Sequence, residues 1–357
     1  MSRRAGVLVV VIAVVVLAAL PIYLEAFWLQ TGLFAMAAII AAVGLTLLVG
    51  LAGQLSLGHA FFVAIGAYGY AFLAGTDVPG ADAPSGLGLP PLLALIGAVA
   101  LAGVAGALFS PISGRVRGIY LGLASLGLVF LGQHILQNAA GITGGYAGVT
   151  VEPFSLFGFS LSDADPDRLV ILGVPYGQLE RLWYLGLVLT AGSIWFGRNL
   201  VRSRPGRAFG TLRDSEVAAA VMGVDVVRYK AAAFTVSSMY AGLGGVLYAL
   251  AFGRIVPDSF GFLLSVDFLV MIVLGGAGSV GGAAAGAVFV TALPLVLNHY
   301  SGSLPLLAAP GSGGVSAAEL SRFVYGAAIV AVLLFARDGL AGLARRLRSP
   351  ALKEEVT

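Results

Sequence analysis

Residues 28–50 read WLQTGLFAMAAIIAAVGLTLLVG and carry no charged side chain. A helix needs about 20 consecutive, mostly apolar residues to cross the hydrocarbon core of a membrane, and this stretch is long enough. The rest of the chain has the same character, because 59% of its 357 residues are hydrophobic and 10% are charged. A soluble domain carries about 25% charged residues, so this composition excludes a soluble enzyme and indicates a polytopic membrane protein.

Similar apolar stretches predict an all-α membrane protein with about ten transmembrane helices. The first stretch is similar to a signal peptide, but no small-x-small cleavage site follows it, so we interpret it as a retained helix. The eighth is short and runs into the glycine-rich residues 275–282, so it is either a full or a partial span. The ten predicted spans are 5–21, 28–50, 59–75, 91–110, 118–138, 182–198, 230–252, 264–275, 282–299 and 322–336.

The basic residues test this topology, because cytoplasmic loops of membrane proteins are enriched in Lys and Arg. With the N-terminus inside and the spans alternating, 16 of the 20 basic residues fall on the cytoplasmic side, and both termini are predicted to be cytoplasmic. The predicted external loops, 76–90 and 139–181, carry several acidic residues, and residues 149–159 alternate enough for a small hairpin. Residues 337–357 are predicted to form an amphipathic helix on the inner membrane surface.

Several classes of function are disfavoured by what the sequence lacks. Cysteine is absent and the three histidines lie far apart, so there is no thiolate chemistry and no paired metal-ligand spacing. The formal net charge of +3 is too small to indicate nucleic-acid binding. Neither Lys230 nor Lys353 fits a P-loop, so an ATP-driven transporter would need its ATPase on another chain.

A polar segment lies between the sixth and seventh predicted spans. Residues 199–230 read NLVRSRPGRAFGTLRDSEVAAAVMGVDVVRYK. Asp214 and Ser215 can cap a helical turn, Glu216 suits the positive end of the helix dipole, and Gly223 suits the left-handed residue that ends a helix. This short, alanine-rich helix is predicted to lie parallel to the membrane at the cytoplasmic side. It either seats in a groove of a partner or remains a surface helix.

The same segment carries a resemblance to a known family. Glu216, the alanines after it and Gly223 resemble the coupling-loop signature of ABC importer permeases, and GRAFGTLRDSEVAAAVMGVDVVRYKAAAF resembles LivM-type permeases of branched-chain amino acid ABC importers. Within 143–149 the chain reads TGGYAGV, where such permeases commonly read TGGTNGL, a departure that bears on the substrate. Three further blocks agree in order, and they are GLAGQLSLGHAFFVAIGAY (50–68), RGIYLGLASLGLVF with ITGGYAGV (117–149) and VMIVLGGAGSVGGAAAGA (270–287).

The resemblance implies a fold, a function and a set of partners. The fold is a type II ABC importer permease-like bundle, a single transmembrane permease domain over 1–357 with spans at about 5–336. The chain then forms half of a translocation path for branched-chain or related amino acids in a bacterial-type inner membrane. The implied partners are a homologous LivH-type permease, two ABC ATPase subunits and an extracytoplasmic solute-binding protein. The chain binds no cofactor and is no enzyme itself, since the ATPase subunits use ATP and Mg.

Two sets of candidate site residues follow. In the first, ATPase coupling uses an alanine face with charges offered at its rim, and its residues are Arg213, Asp214, Glu216, Ala219, Ala220 and Gly223. The second set is polar or glycine-rich and lines a substrate path, and it comprises Gln54, Ser56, His59, Gln133, His134, Asn138, Thr143, Gly144 and Gly145. For the polar residues on helices, helix packing is the alternative role. The segments 51–58 and 275–282 are either re-entrant or ordinary loops.

Two other functions remain as alternatives. A stand-alone secondary transporter or channel for a small polar solute is disfavoured by the coupling loop and by the near absence of acidic residues within the spans. A membrane-embedded enzyme would need a cluster of Asp, His or Ser near one membrane face, and the scattered histidines disfavour it.

Overall fold

The chain folds as a bundle of helices with a few very short strands. The computed structural model describes residues 16–76, 86–116, 118–156, 159–162, 169–171, 174–300, 316–335, 339–340 and 342. Over these residues the helices are α1 (16–23), α2 (Ala26–Leu45), α3 (His59–Ala74), α4 (Pro91–Arg115), α5 (Ile119–Asn138), α6 (Ala140–Thr143), α7 (Gln178–Arg202), α8 (Arg204–Asp214), α9 (Glu216–Val221), α10 (Val226–Phe252), α11 (Phe262–Gly275), α12 (Val280–His299) and α13 (Ala317–Phe335).

Helix α2 lies at the centre of the bundle, and its sequence explains why. It is apolar on all sides, so no face of it must remain in contact with water, and most of its residues are buried. Helices α7, α10 and α12 pack around it. At its end α2 continues into a π-helical turn, Thr46–Leu51, and then into the irregular segment 53–58. π-Helical turns are uncommon in proteins, and those that do occur often lie at functional sites.

Glycine lets α3 and α10 approach each other backbone to backbone. A Cβ atom on Gly66 would lie 2.1 Å from the carbonyl oxygen of Gly242, and one on Gly245 would lie 2.0 Å from the carbonyl oxygen of Val63. No side chain fits at either position. The close contact of these two helices therefore requires glycine, as is typical of packed membrane helices.

Short strands gather at one end of the bundle, which we call the strand end, while α8 and α9 lie at the opposite end. A small hairpin, Ser155–Leu156 with Phe159–Ser160, overlaps the end of the stretch 149–159 for which one is predicted, whereas Val149–Thr150 pairs with Arg254–Ile255 instead. Arg181 at the start of α7 holds this hairpin, because its Nη1 donates to the carbonyl oxygen of Ser160 at 2.8 Å. The antiparallel pairs are β1 (Val149–Thr150) with β6 (Arg254–Ile255), β2 (Ser155–Leu156) with β3 (Phe159–Ser160), and β4 (Leu169–Ile171) with β5 (Val174–Tyr176).

The helices confirm an all-α polytopic membrane protein. Helices α3, α7 and α13 coincide with the predicted spans 59–75, 182–198 and 322–336. Of these, α3 has only 16 residues, and α7 carries charged residues at both ends. The short eighth span is lengthened by a 3-10 turn, Pro257–Phe260, before α11. The first predicted span and the tail 337–357 lie largely outside the described residues, so the count of ten stays a prediction. In the described part, six segments are long and apolar enough to cross a membrane: Ala26–Leu51, Pro91–Arg115, Ile119–Asn138, Val226–Phe252, Pro257–Gly275 and Val280–His299.

Candidate functional site

Helices α8 and α9 form because each begins at a serine cap. The Ser203 hydroxyl accepts a hydrogen bond from the backbone N–H of Gly206, and the Ser215 hydroxyl accepts one from Ala218 at 3.2 Å. After α9 the chain turns at Gly223, whose φ of 81° lies in the left-handed region that glycine adopts readily. The structure thus has the short helix and the glycine stop that the sequence predicts, with Ser215 as the cap.

The outward side of α9 is apolar. Val217, Val221 and Met222 are 73%, 84% and 64% exposed, and Ala220 beside them is exposed as well. We call these four residues the α9 face. Exposed apolar patches mark interaction sites. The larger side chains of this face were not predicted from the sequence, although Val217 and Val221 stand four residues apart, the spacing of one side of a helix.

Ala219 is not part of the α9 face. Its side chain is 0% exposed, so it points into the protein, whereas the side chain of Ala220 points outward. The prediction of an alanine face shared by both residues is therefore wrong. The physical reason is that successive residues of a helix do not face the same way.

Arg213 of α8 and Glu216 of α9 each contact the bundle. Arg213 Nη1 donates to the carbonyl oxygen of Gly50 at 2.9 Å, and Glu216 Oε1 lies 2.5 Å from Lys230 Nζ. Lys230 is almost fully buried, and a buried lysine needs a partner because an unpaired charge is costly away from water. Glu216 is thus paired within the chain, whereas the Arg213 side chain is 51% exposed, and charges offered to a partner at the rim of the face stay a prediction. Asp214 stays exposed, with its Oδ1 3.4 Å from Arg213 Nε.

Two glycine-rich segments meet beneath α8. A Cβ atom on Gly50 would lie 2.2 Å from the backbone nitrogen of Gly278, so the segment after α2 touches the turn between α11 and α12. Gln54 is buried in the same region, and its Nε2 donates to the backbone oxygen of Lys230 at 3.3 Å. The two segments therefore lie at the same end of the bundle as α8 and α9.

Ser56 and His59 make packing contacts. The Ser56 hydroxyl accepts a hydrogen bond from the backbone N–H of Gly58 at 3.3 Å. His59 Nε2 lies 2.8 Å from the carbonyl oxygen of Ala41 on α2, and its ring stands edge-on to Phe268 of α11. Both side chains are buried. The contacts of His59 are the helix-packing contacts that the sequence left open as an alternative, whereas the contact of Ser56 is local to the segment 53–58. A place on a substrate path stays a prediction for both.

Helix α5 carries a polar stripe at its strand end. Asn138 Nδ2 donates to the carbonyl oxygen of His134 at 2.8 Å, and Gln137 Nε2 donates to Asp258 Oδ1 at 3.1 Å. His134 and Asn138 are exposed, and Gln133 is partly exposed. Polar side chains on a membrane helix usually face a protein neighbour or a water-filled cavity. The exposed residues of the stripe are therefore placed where they can line a water-filled cavity.

The turn after α5 is shaped by Thr143 and two glycines. Thr143 Oγ1 lies 2.5 Å from the carbonyl oxygen of Leu136 and accepts a hydrogen bond from the backbone N–H of Gly145 at 3.2 Å. Gly144 and Gly145 have φ values of 69° and 56°, a conformation that glycine adopts without strain. These three residues hold the end of α5, while Tyr146 beside them is 74% exposed.

The apolar helices, with the polar stripe on α5 and the exposed apolar α9 face, define a class of protein, a polytopic membrane protein. A family model described as "Branched-chain amino acid transport system / permease component" matches residues 27–333 of this chain. The chain belongs to that family.

Named relatives agree with the family. The chain is 36% identical over 250 residues to the high-affinity branched-chain amino acid transport system permease protein LivM of Salmonella typhimurium, and equally to that of Escherichia coli. These alignments cover 68% of this chain but only 56% of each relative. It is 24% identical over 270 residues to the probable branched-chain amino acid transport permease protein LivM of Methanocaldococcus jannaschii, covering 74% of this chain and 72% of that one. No solved structure matches the chain.

Proposed function

We propose that this chain is the transmembrane permease subunit of an ABC importer for branched-chain or related amino acids. It forms a single permease domain that supplies half of the translocation path and couples that path to ATP hydrolysis on other chains. The names of the LivM relatives support the substrate class. The observation that carries the proposal is the exposed apolar α9 face within a segment that has the coupling-loop signature.

Two ABC ATPase subunits are the partners that the α9 face fits. An amphipathic helix binds a groove through anchors at positions i, i+3 and i+4, and Val217, Ala220 and Val221 have this spacing. Small residues such as Ala220 also allow close approach of two backbones. Neither lysine of this chain fits a P-loop, so ATP and Mg belong to the ATPase subunits and hydrolysis takes place there.

The α5 stripe supports a path shared with a homologous, LivH-type permease. Only 28% of the apolar stretch of α5 is buried, the lowest share among the six span segments of the described chain. The second permease covers this helix, with a water-filled path between the two subunits. Gln133, His134 and Asn138 face the solute, which an extracytoplasmic binding protein delivers at the strand end. The buried Gln54, Ser56 and His59 support the helices around the path.

The α8–α9 end and both termini lie in the cytoplasm of a bacterial-type cell, and the chain crosses its inner membrane several times. The end of α7 and the whole of α8 support this orientation, because Arg198, Arg202, Arg204 and Arg207 are concentrated there. Loops rich in Arg and Lys remain on the cytoplasmic side during membrane insertion.

Labelling of single cysteines tests this orientation. The chain has no cysteine of its own, so wild-type protein provides an unlabelled control. Arg204 and Leu156 are both exposed, at opposite ends of the bundle. In intact cells, Leu156→Cys is expected to react with a membrane-impermeant thiol reagent. Arg204→Cys is expected to react only after the membrane is permeabilised. The reverse pattern would mean that the orientation is wrong.

Reconstitution tests the function itself. Vesicles that contain this chain, a homologous permease and two ATPase subunits, with a binding protein outside, are expected to accumulate radiolabelled leucine only when ATP is supplied to the ATPase side. Omission of the ATPase subunits is the matched control. Uptake by this chain alone, driven by an ion gradient, would instead indicate a stand-alone secondary transporter or channel.

The double variant Gln133→Leu with Asn138→Leu tests the path. Removing polar groups that bind the solute costs about 1–3 kcal/mol for each group, so leucine uptake is expected to fall about tenfold or more. ATPase recovery with the permease is expected to stay normal, since α9 lies at the other end of the bundle. Ile135→Leu, at an exposed apolar position of the same helix, is the control. Normal uptake by a well-folded double variant would make the stripe a packing feature.

A further inference from the structure

Lys230 links α9 to α10. It lies in the first turns of α10, and its Nζ is 2.5 Å from Oε1 of Glu216, the first residue of α9. The two side chains are 5% and 22% exposed, so this contact is largely shielded from water. The backbone oxygen of Lys230 also accepts a hydrogen bond from Gln54 Nε2. One residue therefore connects α9, α10 and the segment that follows α2.

Arg213 makes a second connection, to the end of α2. The last carbonyl groups of a helix have no partner within the helix, and a cation placed there also interacts favourably with the negative end of the helix dipole. Gly50 lies in the π-helical turn that ends α2, and its carbonyl oxygen accepts from Arg213 Nη1 at 2.9 Å. Gly53 leaves room for the arginine, since a Cβ atom there would lie 2.8 Å from Arg213 Cγ. Arg213 therefore caps α2 from the last turn of α8.

The contact at Gly50 reaches further than α2. Gly50 also packs against Gly278, in the turn that joins α11 to α12. Helices α2 and α10 in turn pack against each other, and α10 packs against α3 and α4. Two charged contacts of the α8–α9 segment thus reach the helices at the centre of the bundle.

We propose that Arg213 and the Glu216–Lys230 pair are positioning residues that transmit movement of docked ATPase subunits to α2 and α10. The proposal rests on the function proposed above. The contacts of these residues are with the bundle, whereas Val217 and Val221 are exposed to a partner. Docking and transmission therefore use different side chains of the same segment, and mutation can separate them.

A purely structural role predicts a different result. Buried ion pairs contribute little net stability, because the cost of removing two charges from water offsets their attraction, and uncharged side chains of similar volume often replace them without loss. If the Glu216–Lys230 pair only held α9 in place, the double variant Glu216→Gln with Lys230→Met would transport normally. A positioning role predicts that the same variant docks normally and transports poorly.

The experiment compares assembly, ATP hydrolysis and leucine uptake in the reconstituted complex. For Arg213→Ala and for the Gln/Met double variant, ATPase recovery is expected to match wild type. The ratio of leucine transported to ATP hydrolysed is expected to fall about tenfold, within the usual range of coupling between two sites. Arg207→Ala is the matched control, because it removes an exposed arginine from α8 and is expected to leave the ratio unchanged.

Charge reversal covers the case in which these variants fold poorly. Lys230→Glu alone places two carboxylates together and is expected to lower the ratio, and addition of Glu216→Lys is expected to restore it by re-forming the pair. A wild-type ratio in Arg213→Ala and in the Gln/Met variant overturns the proposal. Loss of the ATPase subunits from these variants also overturns it, since the residues would then only shape the docking surface. Failure of the wild-type chain to bind ATPase subunits would overturn the proposed function instead.

Discussion

Ala220→Trp is expected to leave the chain in the membrane but to abolish recovery of the ATPase subunits with it. Ala220 is exposed within the α9 face, beside Val217 and Val221. An indole at this position prevents a partner groove from closing over the two valines. Removing interactions worth about 2 kcal/mol weakens binding about thirtyfold. Purification through a tag on the permease, with quantification of the bound ATPase subunits and of leucine uptake, measures the effect.

Arg207→Trp is the matched control for this prediction. It places the same bulky side chain at an exposed position of α8, outside the α9 face, and is expected to keep the ATPase subunits bound. Ala219→Trp is expected to behave differently from both, because Ala219 is fully buried and an indole there would force α9 away from the bundle. Intact assembly with wild-type uptake in Ala220→Trp would mean that α9 is not the coupling element.

The fold was predictable where sequence alone sets the structure. A helix such as α2 is specified by its own apolar length, and α9 by the Ser215 cap and the Gly223 stop, all of which are local signals. No local signal sets which face of α9 points outward. This orientation depends on the pairing of Glu216 with Lys230, a contact between two elements that no short pattern encodes. Without that contact, Ala219 and Ala220 were equally good candidates for the docking face.

The candidate site follows the same division. Thr143 and Gly145 hold a turn through contacts a few residues apart, so their neighbourhood was foreseeable from the sequence. Arg213 and its acceptor Gly50 are 163 positions apart, and only the folded bundle brings them together. His59 shows the same limit, because a histidine within an apolar stretch suits both a path and a packing contact. Its hydrogen bond to Ala41 across α2 and α3 is a tertiary feature.

Gly66→Leu is expected to prevent accumulation of folded protein. A Cβ atom at this position would lie 2.1 Å from the carbonyl oxygen of Gly242, and the neighbour is backbone, which has no other rotamer to adopt. Helices α3 and α10 would have to separate, and the packing of α10 against α2 and α4 would loosen with them. Forcing a side chain into a tightly packed core costs about 3 kcal/mol in the severe cases, which is a large share of the stability of a typical protein. The yield of monodisperse protein in detergent and its temperature of aggregation measure the loss.

Gly127→Leu separates this packing effect from the general effect of replacing glycine in a membrane helix. A Cβ atom on Gly127 meets no other atom within 4 Å, so the same leucine is expected to be accepted on α5 with near wild-type yield. The difference between the two variants then reports the close contact at Gly66, since both add the same apolar side chain to a span. Equal yields and equal aggregation temperatures for the two variants would show that α3 and α10 do not touch as closely as described, and that this glycine is dispensable for the core of the bundle.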